Sequence, residues 1–278
     1  MMTGTSMTTS HPTPTAHEPR TVLVRGLECV DVPAKVFDRG TGTPVVFLHG
    51  LVGLNDHWMP SINRLSKSMR TTAFELPLLD LSGDDCSIHG ATKLTAQYLS
   101  AHCEQPPILV GNSFGGHVAL KIALEYPHLC GGLVLAGASG LIEKSMVSII
   151  QTRPSREWLE LKIGELFFDT SKMSQGDVDR AFTELNNRAK AFAMVKLSRS
   201  ARKNHLGDDI HRIKVPTLIM WGRQDSVTPV EAAEEFKAKI PDSTLVWFDR
   251  CGHAPMIECA DEFAAAIERF VHARFSAT

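Results

Sequence analysis

Short apolar runs alternate along this chain with longer stretches in which apolar residues return every third or fourth position. The runs Leu27 to Val30, Ala34 to Phe37, Val45 to Leu48, Thr71 to Phe74, Ile108 to Val110, Leu133 to Leu135, Thr217 to Trp221 and Leu245 to Phe248 predict strands. Val45-Val46-Phe47-Leu48 and Ile108-Leu109-Val110 are continuous rather than alternating, the pattern of strands covered on both faces of a parallel sheet. The first two or three runs are expected to form an antiparallel edge. Ile88 to Cys103, Gly116 to Tyr126, Val230 to Ala238 and Asp261 to Phe275 have helical spacing. Together these elements predict an α/β fold built on a doubly wound, mostly parallel, eight-stranded sheet.

The strand rhythm stops between Leu141 and Ile213, where helical patterns take over, and resumes at Thr217. Residues 141–213 are therefore expected to form a helical cap inserted into a core made of 21–140 and 214–278. The cap should cover the C-terminal ends of the strands, where open α/β sheets bind ligands. Residues 1–20 are rich in Thr, Ser and Pro, have no apolar stretch of signal-peptide type, and are expected to be a disordered tail.

Composition narrows the class. With 29 Lys and Arg against 31 Asp and Glu the formal charge is −2, and no dense basic cluster offers attraction to a phosphate backbone. No apolar run reaches the ~18 residues of a membrane helix. Nucleic-acid and membrane partners are therefore not expected, and a small-molecule partner and a cytoplasmic location are; oligomeric state is left open. The six cysteines are scattered without a Cys-x-x-Cys pair, which speaks against a zinc knuckle and a disulfide framework.

The chemistry concentrates in a few turns. Gly111-Asn112-Ser113-Phe114-Gly115 follows one predicted strand and opens a predicted helix. A serine hydroxyl becomes a useful nucleophile only when exposed beside a base and oxyanion donors, and a tight glycine-flanked turn provides the exposure. Ser113 is the candidate nucleophile; the bland alternative is a glycine-rich turn with an idle serine. Among the twelve histidines His253 is the candidate base, because Cys251-Gly252-His253-Ala254-Pro255 lies just past the last predicted strand. Asp225, between Trp221-Gly222 and Thr228-Pro229, is the candidate acid that orients the imidazole, with Asp249 and Asp242 as weaker rivals. The backbone N–H groups of Phe114 and Leu51 are the candidate oxyanion hole, with Val52 as the alternative to Leu51.

With these motifs the chain from about Thr21 onward resembles the α/β-hydrolase superfamily, in its serine-hydrolase branch with a helical cap. The order Ser113, Asp225, His253 is the order used there. Ser113 stands where dehalogenases and epoxide hydrolases carry Asp. The resemblance implies a serine hydrolase that forms an acyl-enzyme, with no cofactor and no metal. Gly111-Asn112-Ser113, Phe167-Phe168-Asp169-Thr170-Ser171 and Asp249-Arg250-Cys251-Gly252-His253 are more distantly similar to the meta-cleavage product hydrolases, which cut C–C bonds. Those enzymes typically carry Trp where this chain has Ala254, and a more Gly/Pro-rich loop than Leu51-Val52-Gly53. Their substrate-binding cap Arg corresponds to Arg188. Glu75-Leu76-Pro77-Leu78-Leu79-Asp80 also departs from the Asp-x-x-Gly-x-Gly turn of many relatives.

Trp158, Phe168 and Arg188 are the cap residues expected to touch substrate. Lys196, Arg199, Arg202 and Lys203 read as a solvated helix face, with a hold on a substrate carboxylate as the alternative. The first expectation is a serine hydrolase of a small or medium carboxylic ester. The alternatives are a C–C hydrolase of a vinylogous diketone, and a non-catalytic ligand-binding protein that keeps the fold.

Overall fold

The computed structural model describes residues 18–141 and 154–275. Most of the expected tail, residues 1–17, and residues 142–153 of the expected cap lie outside the described residues. Strands β1 (Arg20–Arg25), β2 (Asp31–Arg39), β3 (Thr43–Leu48), β4 (Met69–Glu75), β5 (Ile108–Asn112), β6 (Gly132–Ala136), β7 (Thr217–Gly222) and β8 (Ser243–Phe248) form one eight-stranded sheet in the order β1-β2-β4-β3-β5-β6-β7-β8. The pairs β1/β2 and β2/β4 are antiparallel, and every pair from β4/β3 to β7/β8 is parallel.

The expected first strand is corrected. Leu27 to Val30 is a turn, in which Gly26 N–H donates to Val30 O at 3.0 Å and Leu27 N–H to the Asp85 carboxylate at 2.6 Å. The strand is Arg20–Arg25, whose alternating burial puts Val22 and Val24 inside and Leu23 outside. Its start at Arg20 also falls within the stretch expected to be tail. Cys29, at φ 57°, closes the turn in the left-handed region.

The helices are α1 (Met59–Leu65), α2 (Ile88–His102), α3 (Phe114–Glu125), α4 (Arg156–Gly164), α5 (Gln175–Leu185), α6 (Arg188–Lys203), α7 (Val230–Lys239), α8 (Pro255–Glu258) and α9 (Ala260–Phe275). Successive residues of the central strands feed opposite faces of the sheet. Val46, Leu48, Leu109, Leu133, Leu135 and Ile219 enter one core with α2, α3 and α7, while Val45, Phe47, Val110, Val134, Leu218 and Met220 enter a second with α1 and α9. This two-sided burial is why those strands are apolar throughout rather than alternating. Helices α4, α5 and α6 lie between β6 and β7 in the chain and carry a small core of their own around Leu159, Val178, Leu185 and Met194. No helix among the described residues is long and apolar enough to cross a membrane.

Candidate active site

The turn after β5 holds Ser113 at φ 53°, ψ −118°, a conformation that a side-chain-bearing residue adopts at a cost of about 1–3 kcal/mol. Its backbone is fully engaged. Ser113 N–H donates to Ala136 O at 3.1 Å, and Ser113 O accepts from His117 and Ser139 N–H, each at 3.1 Å. Close approach of α3 to β3 needs a glycine at 115, since a Cβ there would lie 2.2 Å from Leu48 O. Ser113 itself is half-buried, and its hydroxyl makes no hydrogen bond to any described residue, His253 included. Phe114, first residue of α3, presents a backbone N–H that no intrahelical acceptor can reach. Leu51 lies in the turn after β3 and, like Ser113, lines the cavity.

Asp225 and His253 sit on the loops after β7 and β8 and are both buried. His253 Nδ1–H donates to Asp225 Oδ2 at 2.8 Å, which leaves Nε2 as the ring's other nitrogen. The remaining lone pairs of the carboxylate are filled locally: Val227 and Thr228 N–H donate to Oδ1 at 2.8 and 2.9 Å, and the Thr228 hydroxyl donates to Oδ2 at 2.7 Å. Burial alone would push the Asp225 carboxyl up; the adjacent imidazole and the Thr228 donors outweigh it and hold the group below the usual carboxylate range. Gly137, at φ 50°, packs beneath this pair, and a Cβ there would lie 3.0 Å from His253 Nδ1 and 3.1 Å from Asp225 Oδ2.

The nucleophile turn and the imidazole loop are tied together next to the proposed chemistry. Asn112 Nδ2 donates both to Ala136 O at 2.9 Å and to His253 O at 3.1 Å. Ser113 and His253 open onto one cavity of about 590 Å³. Most of its wall surface is apolar, with Leu51, Leu76, Leu79, Leu159, Ile163 and Met256 among the lining residues. Three of its cations face carboxylates: Lys35 lies 3.5 Å from Glu75, Lys162 2.6 Å from Glu165, and Arg180 2.9 Å from Asp177.

Of the cap residues expected to meet substrate, Trp158 lines the cavity and the other two do not. Phe168 is 49% exposed, because its neighbour Phe167 takes the inward position on that turn. Arg188 is exposed at the start of α6, off the face that reaches the cavity through Met194, Ser198 and Arg202. Arg202, read from the sequence as solvated, is thus a wall residue. Thr228, Asn112 and Gly137 were not singled out as site residues. Thr228 had a signal: it follows the candidate acid by three residues and precedes a helix, the spacing at which Asp accepts from backbone and hydroxyl donors. The described residues also bring Asp56, His57 and Asp177 together, with one ligand atom of each within 4.8 Å of the others. Arg180, bonded to Asp177 and 3.9 Å from Asp56, already supplies the positive charge there.

A mostly parallel sheet, a strained serine turn at the end of a central strand, and an acid–imidazole pair on the last two strand loops define an α/β hydrolase. The model of the alpha/beta hydrolase family matches residues 45–266, and the chain belongs to that family. It is 27% identical over 265 residues to the 2-hydroxy-6-oxo-6-(2'-aminophenyl)hexa-2,4-dienoic acid hydrolase of Metapseudomonas resinovorans, covering 89% of this chain and 90% of that one. It is 29% identical over 242 residues to the monoacylglycerol lipase ABHD6 of Bos taurus, covering 77% and 71%. Among solved structures it is similar to MGS-MChE2, an α/β hydrolase from the metagenome of lagoon sediments at Mar Chica, Morocco. That similarity has a TM-score of 0.71 and 29% identity, covering 87% of this chain and 95% of that one.

Proposed function

We propose that this protein is a serine hydrolase that cleaves a small or medium carboxylic ester through an acyl-enzyme on Ser113. The observation that carries the reading is the buried His253–Asp225 hydrogen bond of 2.8 Å, whose imidazole opens onto the same cavity as Ser113. His253 Nε2 takes the Ser113 proton as Oγ attacks the ester carbonyl carbon. Charge that develops on the carbonyl oxygen meets the N–H groups of Leu51 and Phe114. Asp225 stabilises the imidazolium, which then gives its proton to the departing alkoxide. Water, activated by the same imidazole, releases the acid and restores Ser113. The Ser113–His253 contact closes when substrate is bound, as catalytic hydrogen bonds commonly do.

The wall favours a neutral substrate over an anionic one. A ring-fission dienoate carries a carboxylate that needs a cation; of the wall cations, Lys35, Lys162 and Arg180 are each engaged by an acid, and Arg202 has a partner of its own. Arg188, the sequence candidate for that task, is exposed and does not line the cavity. A second reading, C–C hydrolysis of a vinylogous diketone, is supported by the likeness to the Metapseudomonas hydrolase across nine-tenths of both chains.

A fluorophosphonate probe tests the nucleophile: labelling is expected in the native protein and absent in Ser113→Ala, and labelling that survives the substitution overturns the assignment. A series of p-nitrophenyl esters set against a yellow ring-fission diketone tests the substrate. Ester turnover without bleaching of the diketone supports the first reading, and bleaching at the greater kcat/KM supports the second. Tight small-molecule binding without any probe labelling would instead describe a non-catalytic member of the fold.

A further inference from the structure

The loop that carries His253 is bonded to the chain leaving α4 as well as to its own domain. His253 N–H donates to Leu166 O at 2.7 Å. Glu258, the last residue of α8, adds a second tie. Its Oε1 accepts from Gly252 N–H at 2.6 Å, and its Oε2 accepts from Phe168 and Asp169 N–H at 2.8 and 3.0 Å. Three backbone amides thus hold one carboxylate, and charge-assisted bonds of this kind are about twice as strong as neutral ones. The surfaces are in close contact: a Cβ on Gly252 would lie 2.6 Å from Leu166 O and 2.9 Å from Phe168 N. A further bond, from Ser226 Oγ to Glu165 O at 2.7 Å, joins the Asp225 loop to the same segment. Glu258 is not part of the cavity wall and forms no ion pair among the described residues, so neither substrate contact nor charge pairing accounts for it.

We propose that Glu258 is a positioning residue. It clamps the main chain of Gly252 to residues 168–169, so that the helical insertion, together with Asp225, holds the His253 imidazole in register with Ser113. The inference rests on the reading of Ser113, Asp225 and His253 as the reacting set. It assigns the insertion a task at the reaction centre besides enclosing the substrate. Displacing a reacting group by an ångström can cost on the order of 100-fold in rate, so a clamp outside the cavity can control turnover.

The test compares Glu258→Ala, Glu258→Gln, Ser113→Ala and Ser200→Ala on a p-nitrophenyl ester that the native enzyme turns over. Glu258→Ala is expected to lower kcat about 10- to 100-fold, leave KM within about threefold, and slow fluorophosphonate labelling of Ser113 by the same factor as kcat. Glu258→Gln keeps one carbonyl oxygen as acceptor and should fall between Ala and native. Ser200→Ala removes the bond that Ser200 Oγ accepts from Ile88 N–H at 3.0 Å, a link between insertion and core that involves none of the bonds of the His253 loop, and should leave kcat unchanged. Native kcat and labelling in Glu258→Ala, with Ser113→Ala inactive, would overturn the clamp and leave the hydrolase reading standing. Activity in Ser113→Ala would overturn the hydrolase reading itself. An equal loss in Ser200→Ala would mean general loosening of the insertion, and also overturns the clamp. Should Glu258→Ala fail to fold, Glu258→Gln decides alone: reduced kcat at unchanged KM supports the clamp, and native kcat overturns it.

Discussion

The two halves of the proposed active site are held by different physics. On the acid side, Asp225 accepts from His253 Nδ1, Thr228 Oγ and the Val227 and Thr228 amides, so the position of its carboxylate is fixed by side-chain and loop hydrogen bonds. On the nucleophile side, the Ser113 hydroxyl has no such partner among the described residues, and the residue is fixed by its backbone at φ 53° and by the bonds of its N–H and C=O. A base and its acid must keep one geometry throughout turnover, whereas a nucleophile must stay exposed and free to rotate. The acid half is therefore built from satisfied bonds and the nucleophile half from stored strain.

The largest expected effect breaks the nucleophile half. Ser113→Ala should lower ester kcat by about 10⁴-fold or more, with little change in Tm. Ser113→Gly should be equally inactive yet more stable by about 1 kcal/mol, because glycine adopts positive φ without a Cβ penalty. Thermal denaturation of the two variants reads the difference directly; a glycine variant no more stable than the alanine one would remove strain from the account. Asp225→Asn comes next. It should lower kcat by about 10⁴-fold and, unlike Ser113→Ala, also destabilise the protein by about 2–4 kcal/mol, since an amide presents donors to donors at a buried site. Urea unfolding provides the comparison, and an Asn variant of native stability would contradict the claim that the acid half is held by its bonds.

Much of this was legible in the sequence, for reasons that also explain what was not. The central strands announce themselves because burial on both faces demands unbroken apolar runs such as Val45 to Leu48. The nucleophile turn is legible because close approach of α3 demands glycines at fixed offsets around Ser113. β1 was misread because a half-exposed edge strand alternates, and Val22-Leu23-Val24 signals less than the nearby apolar residues of the Leu27 to Val30 turn. α1 escaped notice as a seven-residue helix with Pro60 in its first turn. Phe168 and Arg188 failed for a general reason: helical spacing shows that a residue lies on some face, while the face turned toward the cavity depends on docking. Glu258 carries no sequence signal, because two of its three backbone partners, the amides of Phe168 and Asp169, are distant in the chain.

Acid separates the two halves again, at a smaller scale. His117, one turn into α3 and bonded through its amide to Ser113 O, is fully buried; burial lowers its pKa to about 4, and Asn204 only partly offsets this. The unfolded chain takes up a proton at this residue near pH 6.5, before the native state does. Stability from a neutral His117 is thus complete above about pH 6.5 and is lost as pH falls toward 4, by about 3 kcal/mol over that interval. The depressed Asp225 carboxyl behaves differently. Its contribution is present above the ordinary Asp value of about 3.9 and declines only as pH falls below it through the lower native value. Urea midpoints from pH 7 to 4 should therefore fall, and His117→Gln should flatten that slope; an unchanged slope would show that His117 does not bury a neutral imidazole.

The smallest effect sharpens the acid half itself. Thr228→Val keeps the shape of the side chain and removes the hydroxyl that donates to Asp225 Oδ2 at 2.7 Å and lies 3.2 Å from His253 Nδ1. Two backbone amides and the imidazole still satisfy the carboxylate, so the fold should lose only about 1 kcal/mol. Gly137 O, 3.2 Å from the same hydroxyl and its alternative acceptor, loses that neighbour as well. With one constraint on the imidazole gone, kcat should fall about 3- to 10-fold at unchanged KM. A loss as large as that of Asp225→Asn would mean that the hydroxyl, rather than the set of donors acting together, fixes the acid; no loss at all would mean that the amides and His253 suffice.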